Sequence, residues 1–214
     1  LRSLRAKALL VSEGEGDSAR AAAQRVGLPV LELQTVPGAE AGVFKLRGPR
    51  IGPPSDDEFA QSGDLAVVML TSGTTAEPKI VPLTHANLGA ATEYTRGVLQ
   101  LSGADRCLNV ANLFHIHGVS ILWYVLTSGG SVVCTPGLLA PRFFEWLETF
   151  RPTWYSAAPA LQHSILERAP LYRDIIRQCP LRFIRSAAAA MPRRTLEEME
   201  NVFGVPFILT YGMN

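Results

Sequence analysis

The sequence predicts an α/β chain of mostly parallel sheets with flanking helices, and three observations predict it. Short apolar runs rich in β-branched residues alternate with longer stretches of helical period, the pattern of consecutive βαβ units. A connector over 34–62, where Pro37, Gly38, Gly42, Gly48, Pro49, Gly52, Pro53 and Pro54 accumulate, separates one such unit from a longer series. Of the 214 residues, 47% are hydrophobic, the level at which globular chains build a core.

Taken in order, 6–11 reads as a strand, 17–26 as an alanine-rich helix and 28–33 as the next strand, with Gly27 at the helix C-terminal cap. A short strand is expected at 43–46, inside the connector. The run LAVVML at 65–70 reads as a buried strand, followed by a loop of small hydroxyl residues over 71–78. Thr84 then caps a helix that begins near His85. Further strands are expected at 106–111, 131–134, 154–157, 183–186 and 206–210. Helices fall between them at 116–126, 140–150, 160–168 and 193–202. No internal repeat or low-complexity tract interrupts the series.

Charge and composition exclude several classes. Lysine plus arginine number 20 against 19 acidic residues, a net charge of +1 without a basic run, which argues against nucleic acid or a membrane surface as partner. The longest apolar stretch, 119–126, falls far short of the roughly 18 to 20 residues of a membrane span. Cys107, Cys134 and Cys179 include no CxxC spacing, so a disulfide framework and a cysteine-rich zinc site are not expected, and a reducing cytoplasm is. His115 and His117 form an HxH pair with no third ligand spaced nearby, and no metal site is assigned to the protein alone. A serine-hydrolase elbow of GxSxG type is absent. The chain opens at Leu1 without a methionine or signal pattern and stops at Asn214 directly after an apolar run, so a piece of a longer protein is expected.

Two loops compete for a nucleotide. Gly14-Glu15-Gly16-Asp17-Ser18-Ala19 matches GxGxxA between a strand and a helix, with Glu32 one βα unit later, a dinucleotide-binding pattern on paper. Glu13, Glu15 and Asp17 place three carboxylates where a pyrophosphate would sit, and like charges there are costly. The other reading is a polar turn in which Asp17 caps the helix. The second loop, Thr71-Ser72-Gly73-Thr74-Thr75-Ala76-Glu77-Pro78-Lys79, follows a strand directly. Its hydroxyls and backbone N–H groups suit phosphate oxygens, Gly73 permits close approach and Lys79 supplies a mobile positive charge.

The order of residues in this second loop resembles the adenylate-forming superfamily of acyl-CoA synthetases, luciferases and peptide-synthetase adenylation domains. Their phosphate loop reads approximately [TS]-S-G-T-T-G-x-P-K-G, and here it stands as TSGTTAEPKI, with Ala76 and Ile80 where glycine is usual. Asn112-Leu113-Phe114-His115-Ile116-His117-Gly118 is similar to the family's PLFHxxG segment. Ser186-Ala187-Ala188-Ala189-Ala190-Met191 resembles its adenine turn, and Leu209-Thr210-Tyr211-Gly212-Met213 its Q-G-Y-G-M segment.

The resemblance implies a fragment of the large N-terminal domain of such an enzyme: 1–50 as a Rossmann-like βαβ portion and 51–214 as the ATP- and acyl-binding portion, with the C-terminal domain absent. It implies ATP, Mg2+ and CoA as cofactors and co-substrates, and a small-molecule carboxylic acid as substrate. Thr71, Ser72, Gly73, Thr74, Thr75 and Lys79 would meet the phosphates, and His115 the reacting carboxylate or α-phosphate. Ala188, Ala189, Tyr211 and Gly212 would line the adenine pocket, with Tyr211 stacking on the base. Lys79 and His115 are the residues assigned to catalysis. Asn214 stands where the family has threonine, followed in the family by a Mg2+-holding glutamate that this sequence does not reach. The isolated fragment is therefore expected to be inactive. Its surroundings look most like acid-CoA ligases, with a lean toward the oxalate-CoA branch while fatty and aryl acids stay open. An NAD-dependent oxidoreductase using the GxGxxA turn, or a non-catalytic nucleotide-binding module, are the alternatives.

Overall fold

The computed structural model describes residues 4–40, 42–52, 59–71, 79–137 and 140–211, and divides the chain into two compact units, Leu1–Phe59 and Ala60–Asn214. In the first unit, β1 (Leu9–Ser12) pairs in parallel with β2 (Val30–Thr35) across α1 (Asp17–Arg25). The short strand β3 (Phe44–Arg47) then adds to β2 in antiparallel register, so this sheet is mixed. Asp17 is not the cap of α1. Gly16 holds that position in the left-handed conformation, and Asp17 is the first helical residue, its charge favourable beside the positive end of the helix dipole.

The second unit opens with a two-stranded antiparallel pair, β4 (Leu65–Leu70) and β5 (Ile80–Thr84). Only part of LAVVML is buried. Met69 is enclosed while Leu65, Val68 and Leu70 are exposed, because a two-stranded ribbon covers fewer side chains than the central strand its composition suggests. The helix α2 (His85–Leu99) follows at once, with Thr84 and Asn87 forming a reciprocal capping box.

The main sheet is five-stranded, parallel and ordered β10-β9-β8-β6-β7. Its strands are β6 (Arg106–Asn109), β7 (Ser131–Cys134), β8 (Trp154–Ala157), β9 (Phe183–Ser186) and β10 (Phe207–Leu209). The connecting helices are α3 (Ile116–Thr127), α4 (Ala140–Phe150), α5 (Pro159–Arg168), the short α6 (Arg173–Gln178) and α7 (Arg193–Phe203). None of the helices among the described residues is long and apolar enough to cross a membrane.

Side-chain alternation splits the core between the two faces of this sheet. Leu108, Tyr155 and Ile184 are register partners, fully buried, and pack in one cluster with Phe143, Leu147 and Met199 of α4 and α7. One residue earlier in each strand, Cys107, Trp154 and Phe183 point the other way and join Ile121, Tyr124 and Val125 of α3. Tyr155 and Gln162 satisfy each other inside the first cluster, Tyr155 Oη donating to Gln162 Oε1 at 2.7 Å.

Candidate active site at the carboxyl end of the sheet

All five strands of the main sheet run the same way, so the segments that follow β6, β8, β9 and β10 emerge from one edge. Three of these carry segments singled out in the sequence: 112–118 after β6, 186–191 after β9, and the described start of 209–213 at β10. Strand order also reverses there: the chain passes from β6 out to β7 and returns beyond β6 to β8. In open α/β sheets the crevice at such a reversal, at the carboxyl ends of the strands, is where ligands bind.

The side chains at this position form a polar row. Asn109, Ser156 and Arg185 are register partners on β6, β8 and β9, two residues beyond Cys107, Trp154 and Phe183, and all three are buried. The face that is apolar along most of the sheet turns polar at its carboxyl end. Asn109 Nδ2 donates to Gly118 O at 3.0 Å, and its Oδ1 accepts from Ala111 N, tying the turn after β6 to the start of α3. A Cβ on Gly118 would lie 2.3 Å from Asn112 O, so only glycine allows this close passage.

Arg185 is 7% exposed and has no carboxylate partner among the described residues. Its Nε donates to Thr210 Oγ1 at 3.0 Å, and its Nη1 to Tyr124 Oη at 3.3 Å and Ser156 Oγ at 3.2 Å. The guanidinium also lies over the Tyr124 ring, 5.9 Å from its centroid. Ser156 Oγ accepts from Arg185 and also hydrogen-bonds His117 Nε2 at 2.7 Å. Burial, with Arg185 and His115 adding to it, lowers the His117 pKa from 6.5 to about 4, so the ring is neutral at neutral pH. Burial likewise raises the Tyr124 phenol, which stays protonated.

The other expected residues are distributed around this row. Thr71 and Lys79 close the β4–β5 hairpin: Thr71 N donates to Lys79 O at 3.0 Å, and Lys79 N to Thr71 Oγ1 at 3.3 Å. Ser72, Gly73, Thr74 and Thr75 lie outside the described residues, as does Gly212. Lys79 is exposed. His115 precedes α3, is exposed, and sets its ring at a tilt beside Phe114, centroids 4.3 Å apart; His117, two residues later, is the histidine wired into the polar row. Ala188 takes a left-handed conformation, φ 81°, in the exposed turn after β9 that also carries Ala189. Tyr211 is 92% exposed. Just before that turn, Ser186 Oγ is buried without a hydrogen-bond partner among the described residues. An orphaned hydroxyl, a strained alanine and an exposed aromatic side by side at the strand ends suit a planar, hydrogen-bonding ligand such as adenine.

A cavity of about 270 Å3 lies between the β4–β5 hairpin, α2 and α3, walled by Met69, Val81, Leu83, Leu88 and Trp123, with Arg185 as a lining residue. Sequence reading missed His117, Ser156, Tyr124 and Arg185 as a group. Their one sequence signal is a polar residue recurring near the end of otherwise apolar strands, in RCLN, WYSA and FIRS.

The GxGxxA turn is occupied by its own chain. Arg20 pairs with Glu32 through Nη1 at 2.5 Å and donates to Glu15 O and Ser12 O. Glu32, the acid a dinucleotide's ribose would need, is therefore engaged, and the nicotinamide reading is not favoured.

The AMP-binding enzyme family matches residues 1–214. The chain belongs to that family. It is 32% identical to a probable CoA ligase of Humulus lupulus over 96% of the chain and 40% of that protein. It is 34% identical to the oxalate-CoA ligase of Arabidopsis thaliana over 70% of the chain and 30% of that protein. A malonyl-CoA ligase complex with methylmalonyl-CoA and AMP bound superposes over the whole chain and 43% of its own, with TM-score 0.78 and 23% identity. The ATP-bound MatB of Rhodopseudomonas palustris gives TM-score 0.74 at 22% identity over 97% of the chain and 40% of its own. The fold is thus that of the N-terminal domain of adenylate-forming enzymes, and the chain spans about two fifths of the Humulus relative's length.

Proposed function

We propose that this chain is the nucleotide- and acyl-binding portion of an ATP-dependent, AMP-forming acid-CoA ligase, with 1–50 as its Rossmann-like portion and 51–214 as the part that holds ATP and the acid. The observation that carries the reading is the common edge: three family-like segments, after β6, β9 and β10, leave the carboxyl end of one parallel sheet around its strand-order reversal. Relatives named for oxalate, sulfoacetate and malonate support acid activation as the reaction class.

In such a reaction a carboxylate oxygen attacks the α-phosphate of ATP and expels pyrophosphate, and the CoA thiol then displaces AMP from the acyl-adenylate. The work of these residues is positioning and charge stabilisation. Lys79 and the 71–75 loop neutralise phosphate oxygens, the 186–191 turn and Tyr211 hold adenine, and His115 stands at the approach of the carboxylate. The neutral His117, through Ser156, keeps Arg185 oriented. Among the described residues no three His, Cys, Asp or Glu side chains are grouped for a cation. Mg2+, when bound, would be held in large part by the phosphates of ATP. Cys107, Cys134 and Cys179 are free thiols, which suits a reducing compartment such as the cytoplasm.

The test is acid-dependent ATP–pyrophosphate exchange by the intact gene product that carries this chain. Lys79→Ala should slow exchange by about 100-fold or more, the cost of losing one preorganised group at a developing negative charge. Unchanged exchange would remove the loop from the mechanism. Stabilisation by NAD and none by ATP in a thermal-shift measurement would overturn the whole reading.

A further inference from the structure

We propose that Arg185 is the specificity-determining residue of the acid site, receiving a second anionic group, carboxylate or sulfonate, at the far end of a short acid whose other carboxylate is activated. The inference rests on the acid-ligase reading and names its substrate class.

Burying a guanidinium without a counter-charge is costly, and hydroxyl partners recover only part of its lost hydration. Arg185 is in that state: 7% exposed, bonded to Thr210, Tyr124 and Ser156, and facing no carboxylate among the described residues. Its five N–H donors are incompletely used. Nε and Nη1 are committed, whereas Nη2 has no hydrogen-bond partner among the described residues, and the side chain lines the 270 Å3 cavity. A planar anion accepting from Nη2 would supply the missing charge with good geometry.

The cavity narrows the ligand further. Arg185 carries the charge among the described residues lining it, and the remaining wall is largely apolar or hydroxyl-bearing. Its volume is at the low end for small-molecule sites, which suits an acid with a short apolar spacer. The guanidinium is also fixed in advance. The Tyr124 ring lies beneath it, and Ser156 is held by His117, so little ordering is left for the ligand to impose.

The experiment is acid-dependent ATP–pyrophosphate exchange by the intact gene product, with malonate and sulfoacetate against propionate and butyrate. The expected result is a kcat/KM preference of about 10- to 100-fold for the dianionic acids, carried mainly by KM, the range of a charged hydrogen-bonded pair. Arg185→Gln should collapse that ratio, and Arg185→Lys should restore part of it. A malonate-to-propionate ratio near one in the unaltered protein overturns the proposal. So does an equal loss on every acid in Arg185→Gln, which would give Arg185 to a phosphate or to general structure. Should Arg185→Gln fail to fold by circular dichroism, the unaltered protein's acid panel and the Arg185→Lys ratio still decide. Exchange with monocarboxylates alone would sink this inference and leave the ligase reading intact, whereas no exchange with any acid would sink both.

Discussion

Replacing His117 with glutamine should make the stability of the chain less sensitive to acid, by an amount the structure sets. In the folded state burial lowers the His117 pKa from 6.5 to about 4. Between those values the unfolded chain binds a proton at this position and the folded chain does not, so stability rises with pH in that window. Descending from neutrality, the loss begins near pH 6.5 and is complete near pH 4, where both states are protonated. At about 1.36 kcal/mol per pH unit the full penalty is about 3 kcal/mol, and about 2.5 kcal/mol of it is reached by pH 4.5. Glutamine can still hydrogen-bond the Ser156 hydroxyl, as donor or acceptor, so its cost at pH 7 should be only about 1 kcal/mol. Urea unfolding of both proteins from pH 7.5 to 4.5 cancels the titrations they share. The advantage of the unaltered chain should fall steadily below pH 6.5 and change sign before pH 4.5. A difference that stays flat across this range would show that the imidazole is solvated, and the wiring of His117 into the polar row would go with it.

Two further substitutions probe the frame around the site. Gly118→Ala gains about 1 kcal/mol of helix propensity, yet puts a Cβ 2.3 Å from Asn112 O and 2.9 Å from Ala111 O, both backbone. We expect a net loss of about 2 kcal/mol or more in urea unfolding, and a variant as stable as the parent would contradict the close passage. Asp105, nearly fully buried, accepts from Ser102 N at 2.9 Å and Thr153 Oγ1 at 2.8 Å and pairs with Arg182 at 3.1 Å. Asp105→Ala should cost about 3 kcal/mol by leaving those donors without their acceptor, and a change within about 0.5 kcal/mol would mean the cluster is not structural.

The main sheet was legible because its strands are short, apolar and set off by turns. The expected spans at 131–134, 154–157 and 183–186 coincide with β7, β8 and β9. The strand β5 was not anticipated: Pro82 in its middle and Thr84 at its end disguise it, and proline is tolerated there because a two-stranded ribbon is all edge. The helix α6, Arg173–Gln178, is too short for its period to register. The burial of LAVVML was overread for a related reason, since composition reports what a strand tolerates and not how many strands cover it. The candidate site divides in the same way. The hydroxyl loop, the FHIHG segment and the alanine turn are local strings, readable one by one. The row Asn109–Ser156–Arg185 exists only once three strands are in register, and His117 rather than His115 meets it because α3 begins at Ile116 and turns its second residue inward.

Two strand–turn–helix units in this chain could have served an anionic ligand, and the difference between them is electrostatic more than geometric. The turn after β1 has the glycines, the left-handed Gly16 and the start of a helix. Arg20 beside it is paired with Glu32 and with two carbonyls, while Glu13, Glu15 and Asp17 add negative charge around it. An anion entering there would have to break an ion pair and then face three carboxylates. At the carboxyl end of the main sheet the balance is reversed: Arg185 is buried among neutral partners, and His117, which could have shared its role as a cation, is held uncharged by burial. Negative charge is drawn to positive charge that the protein has left uncompensated, and among the described residues Arg185 carries such a charge inside a cavity. Supplying Arg185 with an acid from its own chain therefore makes a direct check. Ser120→Asp, on the α3 wall of the cavity, should weaken dianionic acids far more than monoanionic ones, whereas equal effects on both would place the anion elsewhere.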